Sequence, residues 1–252
     1  MVQLKPSAIF RLQRVSLQFG RHSALTEISL TIHAGERVAL VGSSGAGKSS
    51  LLSLLNGTRV PSGGKIQVLG RNLAQLAPKQ LRAVQQQVGT IYQQFHLVER
   101  LPVIHNVNAG QLGRWSWLEA AISLFWPLGV ETATAALTQV GISDKLYERI
   151  DRLSGGQQQR VAIARVLVQN PAVILADEPI SSLDRENSRE VLDLLVDLSR
   201  KTGKTLVMSL HDIELARSHC DRTIGLRGGR VVFDVPSSNL SRAQLDALYR
   251  ID

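Results

Sequence analysis

The stretch GSSGAGKSS at residues 42–50 constrains this chain more than any other feature. Three glycines in nine positions weaken both helices and strands, so this segment needs bare backbone for some other purpose. The preceding ERVALVG is apolar and β-branched, as in a buried strand. The following LLSLLNG has helical spacing and ends at Gly57, a typical signal for the end of a helix. The glycines are therefore predicted to lie in a strand-to-helix turn.

Such a turn is typical of a phosphate-binding loop, in which successive backbone N–H groups curl around a phosphate chain at a positive helix end. Lys48 is expected to reach the β- and γ-phosphates, and the Ser49 hydroxyl to ligate Mg²⁺. The alternative, a flexible turn that binds nothing, is disfavoured by the strand and helix on either side. The predicted nucleotide contacts of the loop are Gly42, Ser43, Ser44, Gly45, Ala46, Gly47, Lys48, Ser49 and Ser50.

Composition narrows the class of protein. The 252 residues are ample for one core, and 44% hydrophobic with 20% charged residues is ordinary for a globular protein. We expect no signal peptide, because the N-terminal MVQLKPSAIF lacks an apolar core. We also expect no transmembrane helix, because no run of 18 uncharged apolar residues occurs. The single cysteine, Cys220, excludes an internal disulfide and is expected in the core. The net charge of +8 comes from scattered residues, which favours a basic solvated surface over a membrane contact, and nucleic acid least.

Apolar patterning predicts an α/β fold. RVSLQF and EISLTIH alternate like antiparallel strands with one solvated face, and GKIQVLG predicts another short strand. VGTIYQ, AVILAD and TLVMSLH are typical of a parallel sheet buried on both faces, and TIGLRGGRVVFD predicts a hairpin. We expect one domain over residues 1–252, with an N-terminal antiparallel β subdomain and an inserted helical subdomain. Its predicted parts are a nucleotide-binding core at 1–93 and 171–252 and helices at 94–170.

Polar residues follow three of the predicted strands. Asp177 and Glu178 end AVILADEP, where Asp177 is expected to hold the Mg²⁺ shell and Glu178 to act as general base toward water. The alternative is an ordinary acid pair at a helix start. His211 and Gln93 end TLVMSLH and VGTIYQ in the same way. Taken alone, His211 also fits an edge histidine and Gln93 a surface amide.

A second glycine pair occurs in LSGGQQQRVAIARVLVQNP. Ser154 is predicted to cap a helix that starts near Gly155 and stops before Pro171. Gly155 and Gly156 would again permit close backbone approach at a positive helix end. A plain serine-capped helix is the alternative.

Together these motifs resemble those of ATP-binding-cassette (ABC) ATPases. GSSGAGKS, LSGGQ, ILADEP, SSLD and the strand-end histidine occur in that family's order over essentially the whole chain, and kinases and GTPases lack LSGGQ. The resemblance implies a P-loop NTPase core, with ATP and Mg²⁺ as cofactors. It also implies that a second copy of the chain binds head to tail. Each ATP then lies between the phosphate-binding loop of one subunit and the signature of the other, and hydrolysis releases the closed dimer.

The resemblance also assigns roles to single residues. It implies that Phe19 stacks on adenine and that Gln93 senses Mg²⁺ and water and faces the membrane partner. His211 matches the histidine that contacts the γ-phosphate, and Asp184 the aspartate that links the two active sites across the dimer. Residues matching the signature that completes the opposite subunit's site are Ser154, Gly155, Gly156 and Gln157.

A closer resemblance is to the ATPase subunits of phosphonate importers, carried by IYQQFHLVERLPVIHNVNAGQLG, ILADEPISSLD and IGLRGGRVVFD. His96 and Asp212 depart from those relatives, which commonly have Asn and Gln there. The resemblance implies a peripheral protein on the cytoplasmic face of a bacterial inner membrane. Its partners would be transmembrane permease subunits and, indirectly, a solute-binding protein, with phosphonates or related phosphorus oxyanions as cargo. Alternatives are an importer ATPase for another small solute, or a non-transport ABC ATPase acting on nucleic acid or the ribosome.

An aromatic insertion, GRWSWLEAAISLFWP at residues 113–127, contains all three tryptophans of the chain. In helical spacing Trp115, Leu118, Ile122 and Phe125 form one apolar stripe. Two interpretations stay open. The stripe packs on the chain's own helices, as most such stripes do, or it is a contact surface for the permease, since aromatic residues concentrate at interface hot spots.

Overall fold

The structure is a computed structural model that describes residues 7–123, 126, 128–181 and 184–249. Its strands are β1 (Ala8–Phe19), β2 (His22–His33), β3 (Arg37–Val41), β4 (Gly63–Val68), β5 (Arg71–Asn72), β6 (Val88–Ile91), β7 (Val173–Ala176), β8 (Thr205–Leu210), β9 (Arg222–Arg227) and β10 (Arg230–Pro236). Its α-helices are α1 (Lys48–Leu55), α2 (Pro78–Gln86), α3 (Val103–Asn108), α4 (Trp117–Ile122), α5 (Val130–Gln139), α6 (Gly155–Gln169), α7 (Arg185–Thr202), α8 (Ile213–His219) and α9 (Arg242–Tyr249).

The strands form two sheets. An antiparallel sheet has the order β2-β1-β4-β5, and a larger sheet has the order β10-β9-β3-β8-β7-β6. In the larger sheet β9, β3, β8, β7 and β6 are parallel and β10 pairs antiparallel with β9. Consequently the carboxyl ends of β3, β6, β7 and β8 meet along one edge, where open α/β sheets bind their ligands.

The larger sheet is buried on both faces, as its apolar runs predict. Along β3, Val38 and Leu40 belong to one core, and Ala39 and Val41 to another. The first core lies between the two sheets and includes α1, and the second includes the apolar faces of α3, α5, α6, α7 and α8. This double burial explains why the parallel strands lack the alternation of β1 and β2.

The two long N-terminal strands deviate from simple alternation. Val15 and Leu17 are buried as predicted, but Phe19 is 42% exposed, since it lies at the end of β1 beyond the covered face. Register shifts interrupt the β1–β2 ladder, and Arg14 and Glu27 have φ values of 46° and 51°. Such bulges add local twist to a strand pair. The alternating pattern therefore predicted the buried face correctly but not where it ends.

Between β6 and β7 the described residues form helices rather than further strands. Helix α6 begins at Gly155, as predicted, because the Ser154 hydroxyl accepts a hydrogen bond from the Gln157 N–H (3.3 Å). The Gln157 side chain in turn accepts from the Ser154 N–H (3.0 Å), which completes a capping box. Helices α3 and α5 pack against α6.

The aromatic insertion differs from the predicted stripe. Ser116 caps α4 with Glu119 in a capping box, so the helix begins only at Trp117 and Trp115 precedes it. Leu118 and Ile122 are exposed, and no residue of α4 is buried. Phe125 lies outside the described residues. The prediction of one continuous stripe was wrong, since the serine ends it, and the described part of the insertion does not pack as core.

Among the described residues no helix combines the length and the apolar character needed to cross a bilayer. Cys220 is buried in the helical core, as predicted, and burial raises the pKa of its thiol to about 12.

Candidate active site

The loop between β3 and α1 folds tightly against the neighbouring strands. Gly47 has φ 105°, and a Cβ there would lie 2.8 Å from the Ala24 carbonyl oxygen of β2. A Cβ on Gly42 would lie 2.2 Å from the Leu226 carbonyl oxygen of β9. Only glycine accommodates both the backbone conformation and this close approach, which accounts for the glycines of the motif.

The loop encloses the Lys48 ammonium. Its Nζ donates to the carbonyl oxygens of Gly42 (2.9 Å) and Ser43 (3.1 Å) and lies 3.8 Å from Glu178 Oε1. Burial lowers the pKa of Lys48, and the nearby Glu178 carboxylate partly offsets this effect. A buried cation at the start of a helix attracts anions such as phosphate oxygens.

Asp177 lies at the end of β7 within a hydroxyl network. The Ser49 hydroxyl of α1 donates to Asp177 Oδ1 (3.1 Å), and so does the Ser209 hydroxyl of β8 (2.8 Å). Ser209 also accepts from the Glu178 backbone N–H (2.7 Å). Ser209 is fully buried, so one side chain fixes both acidic residues relative to β8.

Glu178 has φ 47°, the left-handed region that non-glycine residues seldom occupy. Its Oε1 lies 2.6 Å from His211 Nε2, and its side chain is 16% exposed. Backbone strain of this kind costs about 1–3 kcal/mol and persists where surrounding contacts enforce it, frequently at active sites. The hydrogen bonds that Glu178 forms with Ser209, through its backbone N–H, and with His211, through its carboxylate, are such contacts.

Lys48, Ser49, Glu178 and His211 line a cleft of about 400 Å³, hereafter the cleft. Its lining comprises Phe19, His22, Ala24, Ser44, Gly45, Gly47, Lys48, Ser49, Ser50, Gln93, Glu178 and His211. The Arg59 guanidinium lies 5.3 Å from the centre of the Phe19 ring and is not part of that lining. One face of the ring is therefore covered by a cation, and its remaining surface is exposed at the cleft.

Most predicted site residues thus lie together at the carboxyl edge of the larger sheet. Ser209, His22 and Ala24 were missed. A lone serine inside the apolar run TLVMSLH was a usable signal for Ser209. No local sequence signal marked His22 or Ala24, because they lie at the start of β2 and come near the loop only in the folded chain.

Two predicted elements lie elsewhere in the chain. The signature residues Ser154 to Gln157 form the exposed first turn of α6 and do not line the cleft. Asp184 caps α7 by accepting from the backbone N–H groups of Glu186 (3.1 Å) and Asn187 (3.0 Å). Hydrogen bonds from Asn187 hold the pKa of Asp184 below its usual value. Neither element completes the cleft of its own subunit.

The oxygen ligands at the cleft fit Mg²⁺. No cluster of three acidic, histidine or cysteine side chains suited to a metal occurs among the described residues. Mg²⁺ seldom needs one, because it typically keeps several waters and binds one or two protein oxygens together with substrate phosphates. The Ser49 hydroxyl and the Asp177 carboxylate, 3.1 Å apart, supply two such oxygens beside the loop.

Comparison with known proteins agrees with this arrangement. A family model described as ABC transporter matches residues 25–181, more than half of the chain. The chain belongs to the ABC transporter family. It is an ATP-hydrolysing cassette of that family.

The chain is similar to curated relatives over nearly its full length. It is 45% identical over 248 residues to a phosphonates import ATP-binding protein of Pseudomonas aeruginosa, covering 96% of this chain and 89% of the relative. It is 43% identical over 251 residues to the phosphonates import ATP-binding protein of Stutzerimonas stutzeri, covering 98% and 91%.

Solved ABC cassettes share the fold. The dimeric cassette MJ0796 in a post-hydrolysis state bound to ADP and Pi matches with TM-score 0.78 and 30% identity, covering 92% of this chain and all of that one. The protein cbiO1 from Clostridium perfringens, part of the transporter complex cbiONQ, matches with TM-score 0.80 and 26% identity, covering 95% and 93%.

Proposed function

We propose that this chain is the ATP-hydrolysing subunit of an importer for phosphonates or related phosphorus oxyanions. The observation that carries the proposal is a cleft with a buried lysine, a serine–aspartate pair and a glutamate–histidine pair, in a chain 43–45% identical to phosphonates import ATP-binding proteins over nearly its whole length. The subunit would bind peripherally at the cytoplasmic face of the inner membrane, beneath transmembrane permease subunits that receive cargo from a solute-binding protein.

In this proposal different residues at the cleft bind the phosphates, hold Mg²⁺ and accept the proton of water. Lys48 binds the β- and γ-phosphates, and Ser49 and Asp177 hold Mg²⁺, which neutralises charge on the phosphates when bound. Glu178 Oε1 accepts the proton of the attacking water as general base. His211, 2.6 Å from that oxygen, orients the carboxylate and contacts the γ-phosphate.

The remaining positions of the cleft bind or sense the nucleotide. Phe19 stacks on adenine with the ring surface that Arg59 leaves free. Gln93 approaches Mg²⁺ and the attacking water from the edge of the cleft. Both are proposals supported by their place in the cleft lining.

A second copy of the chain completes each site. The first turn of α6 is exposed and lies outside its own cleft, so its positive helix end is free to meet the phosphates held by another subunit. We propose that Ser154, Gly155, Gly156 and Gln157 do so in a head-to-tail dimer, with Asp184 near the shared boundary. ATP then closes the dimer and hydrolysis opens it.

The permease contact is proposed to be a groove of about 530 Å³ between α2, β6, α6 and the residues that follow α1, hereafter the groove. Its lining includes Arg82, Tyr92, His96, Gly113 and Arg165. Tyr92 and His96 flank Gln93, which lines the cleft, so the groove adjoins the nucleotide site. The aromatic insertion begins at its rim, where the Gln86 side chain donates to the Gly113 carbonyl oxygen. This supports residues 94–170 as the helical subdomain that receives the permease.

Reconstitution in proteoliposomes with a candidate permease and solute-binding protein tests the proposal. Hydrolysis of MgATP should be stimulated by phosphonates, phosphite or phosphate and not by sulfate. Stimulation by sulfate or another solute would contradict the proposed cargo, and absence of hydrolysis under every condition would contradict the proposed catalytic roles. Nucleic acid or ribosomes added to the isolated chain should leave its hydrolysis unchanged.

A further inference from the structure

Two consecutive residues after Gln93 have strained backbones. Phe95 and His96 have φ values of 55° and 48°. Bulky side chains in the left-handed region are strained, and such conformations persist only where surrounding contacts enforce them. The strained pair lies in the segment from Tyr92 to His96, hereafter the 92–96 segment.

Arg165 of α6 supplies that enforcement. Its Nη2 donates to the Phe95 carbonyl oxygen (2.6 Å) and its Nη1 to the His96 carbonyl oxygen (2.8 Å). The planar guanidinium therefore contacts both strained peptides with two separate nitrogens in a rigid fork, a geometry that the flexible lysine ammonium does not reproduce. The His96 ring also stacks on Tyr92 at 4.6 Å between ring centres.

The hydrogen bonds of the Arg165 guanidinium go to these backbone carbonyl oxygens and not to a carboxylate. Burial lowers the pKa of Arg165, and it forms no ion pair with a carboxylate in the part of the chain that the structure describes. The two carbonyl oxygens are thus its main compensation. Partial burial of a cation on a helix packed with apolar residues costs free energy of desolvation. The hydrogen bonds to the two carbonyl oxygens offset part of that cost, so Arg165 and the strained peptides stabilise each other.

The 92–96 segment contributes to both the cleft and the groove. Gln93 lines the cleft, while Tyr92, His96 and Arg165 line the groove. We propose that Arg165 is a positioning residue that sets where Gln93 lies in the cleft by holding Phe95 and His96 in the left-handed conformation. This inference rests on the proposed role of Gln93 toward Mg²⁺ and water. A permease segment entering the groove would meet Arg165 directly and so change the position of Gln93.

The test compares Arg165→Lys with Arg160→Lys in the full chain. Arg160 lies on the same helix and also donates to a backbone carbonyl, that of Val140 (2.8 Å), while pairing with Glu190 (2.7 Å). Arg165→Lys should raise the Mg²⁺ concentration for half-maximal hydrolysis by about tenfold, as loss of supporting contacts around metal sites typically does. Binding of ATP without Mg²⁺ should be unchanged, and Arg160→Lys should show neither effect.

Hydrogen–deuterium exchange gives a readout besides activity. Arg165→Lys should speed exchange of the amides of residues 94–97 by at least about tenfold, because their local opening becomes easier. Arg160→Lys should leave this exchange as it is. Unchanged exchange in the Arg165 variant would overturn the proposed hold on the segment.

A double-mutant cycle separates this inference from the role of Gln93. If Arg165 acts through Gln93, Arg165→Lys adds nothing to the Mg²⁺ requirement of Gln93→Ala. Additive effects would contradict the inference. A Gln93→Ala protein with an ordinary Mg²⁺ requirement would instead contradict the proposed role of Gln93.

If Arg165→Lys does not fold, substitutions at His96 test the same inference with Arg165 in place. His96→Val removes the ring and introduces a β-branched residue that resists a positive φ, whereas His96→Gly removes the ring but permits it. The valine variant should raise the Mg²⁺ requirement clearly more than the glycine variant. Equal requirements in the two would show that the backbone conformation does not control the cleft.

Discussion

At the scale of single residues, the Ser209 hydroxyl forms hydrogen bonds with both acidic residues, Asp177 and Glu178. It donates to Asp177 and accepts from the Glu178 N–H, so it supports the strained glutamate and the proposed metal ligand together. Substituting Ser209 by Ala would leave the Glu178 N–H unpaired in a buried place and release one hydrogen bond on Asp177. Leaving such a group unpaired costs about 1–3 kcal/mol.

We therefore predict that Ser209→Ala slows ATP hydrolysis by about tenfold or more, by freeing Glu178 from its left-handed backbone. The loss should be smaller than that of Glu178→Gln, which removes the general base and should cost about 10²–10⁴-fold. Steady-state kinetics with MgATP measures both, and ATP binding should remain near normal in each.

Thr205→Val provides the matched control for Ser209→Ala. Thr205 is also buried on β8 and accepts from the Gly35 N–H (2.9 Å), but it lies at the other end of the strand from the cleft. Its loss should lower thermal stability by a similar amount and leave turnover intact. Equal turnover in the Ser209 and Thr205 variants would remove Ser209 from the role assigned to it.

At the scale of elements, the sequence predicted those parts whose signals are local. The parallel strands, the Gly228–Gly229 hairpin and the cap of α6 are all confirmed, because apolar runs, turn glycines and a serine three residues before glutamine act over short distances. The exposure of Phe19 and the bulge at Arg14 were not predicted, since they depend on which strands pair and where the cover ends.

The aromatic insertion shows that helical spacing alone does not predict where a helix begins. Helical spacing alone placed Trp115 and Leu118 on one stripe, but the capping box of Ser116 and Glu119 outweighs that periodicity. The structure leaves five large apolar side chains of this region exposed: Leu112, Trp117, Leu118, Ile122 and Trp126. Trp117 is 82% and Trp126 72% exposed, and exposed patches of this kind mark interaction sites.

We predict that replacing Trp117 and Trp126 together by Ser weakens assembly with the permease and abolishes cargo-stimulated hydrolysis. The isolated subunit should keep most of its ATP binding and hydrolysis, because neither ring lies in the cleft. Co-purification and hydrolysis in proteoliposomes provide the measurements. Tyr147→Ser removes a ring that is 65% exposed elsewhere on the helical region and serves as control. Normal assembly and coupling in the double variant would contradict a permease contact at the aromatic insertion.

At the scale of the whole molecule, a single chain contains only part of the proposed site. Its cleft is lined by the phosphate-binding loop and by Glu178, the proposed general base, while the first turn of α6 lies outside that lining. Head-to-tail association requires each signature to act on the other subunit's nucleotide. The two halves of the site are therefore separable by mutation, which makes the association testable without a structure of the dimer.

Lys48→Ala removes the loop's buried ammonium and should weaken ATP binding to its own subunit. Ser154→Arg should leave ATP on each loop but block closure, since its bulk meets the opposite phosphate. It also removes the cap of α6, at a cost of about 1 kcal/mol in stability, so thermal unfolding must first show that the variant is folded. Each variant alone should be inactive, because every site of either homodimer lacks one half.

Mixing the two variants should restore hydrolysis. A mixed dimer has one site in which both halves are broken and one in which Lys48 and Ser154 are both intact. Random pairing puts half of the dimers in this mixed form with one active site of two, so activity should reach roughly a quarter of that of the unaltered protein if the sites act independently. The control places both substitutions in one chain and mixes that chain with the unaltered chain. The mixed dimer then has no intact site, so adding the doubly substituted chain should lower the hydrolysis of the unaltered protein. Absence of restored hydrolysis in the mixture of the two single variants, or normal hydrolysis by the Ser154→Arg protein alone, would show that the signature does not act across subunits.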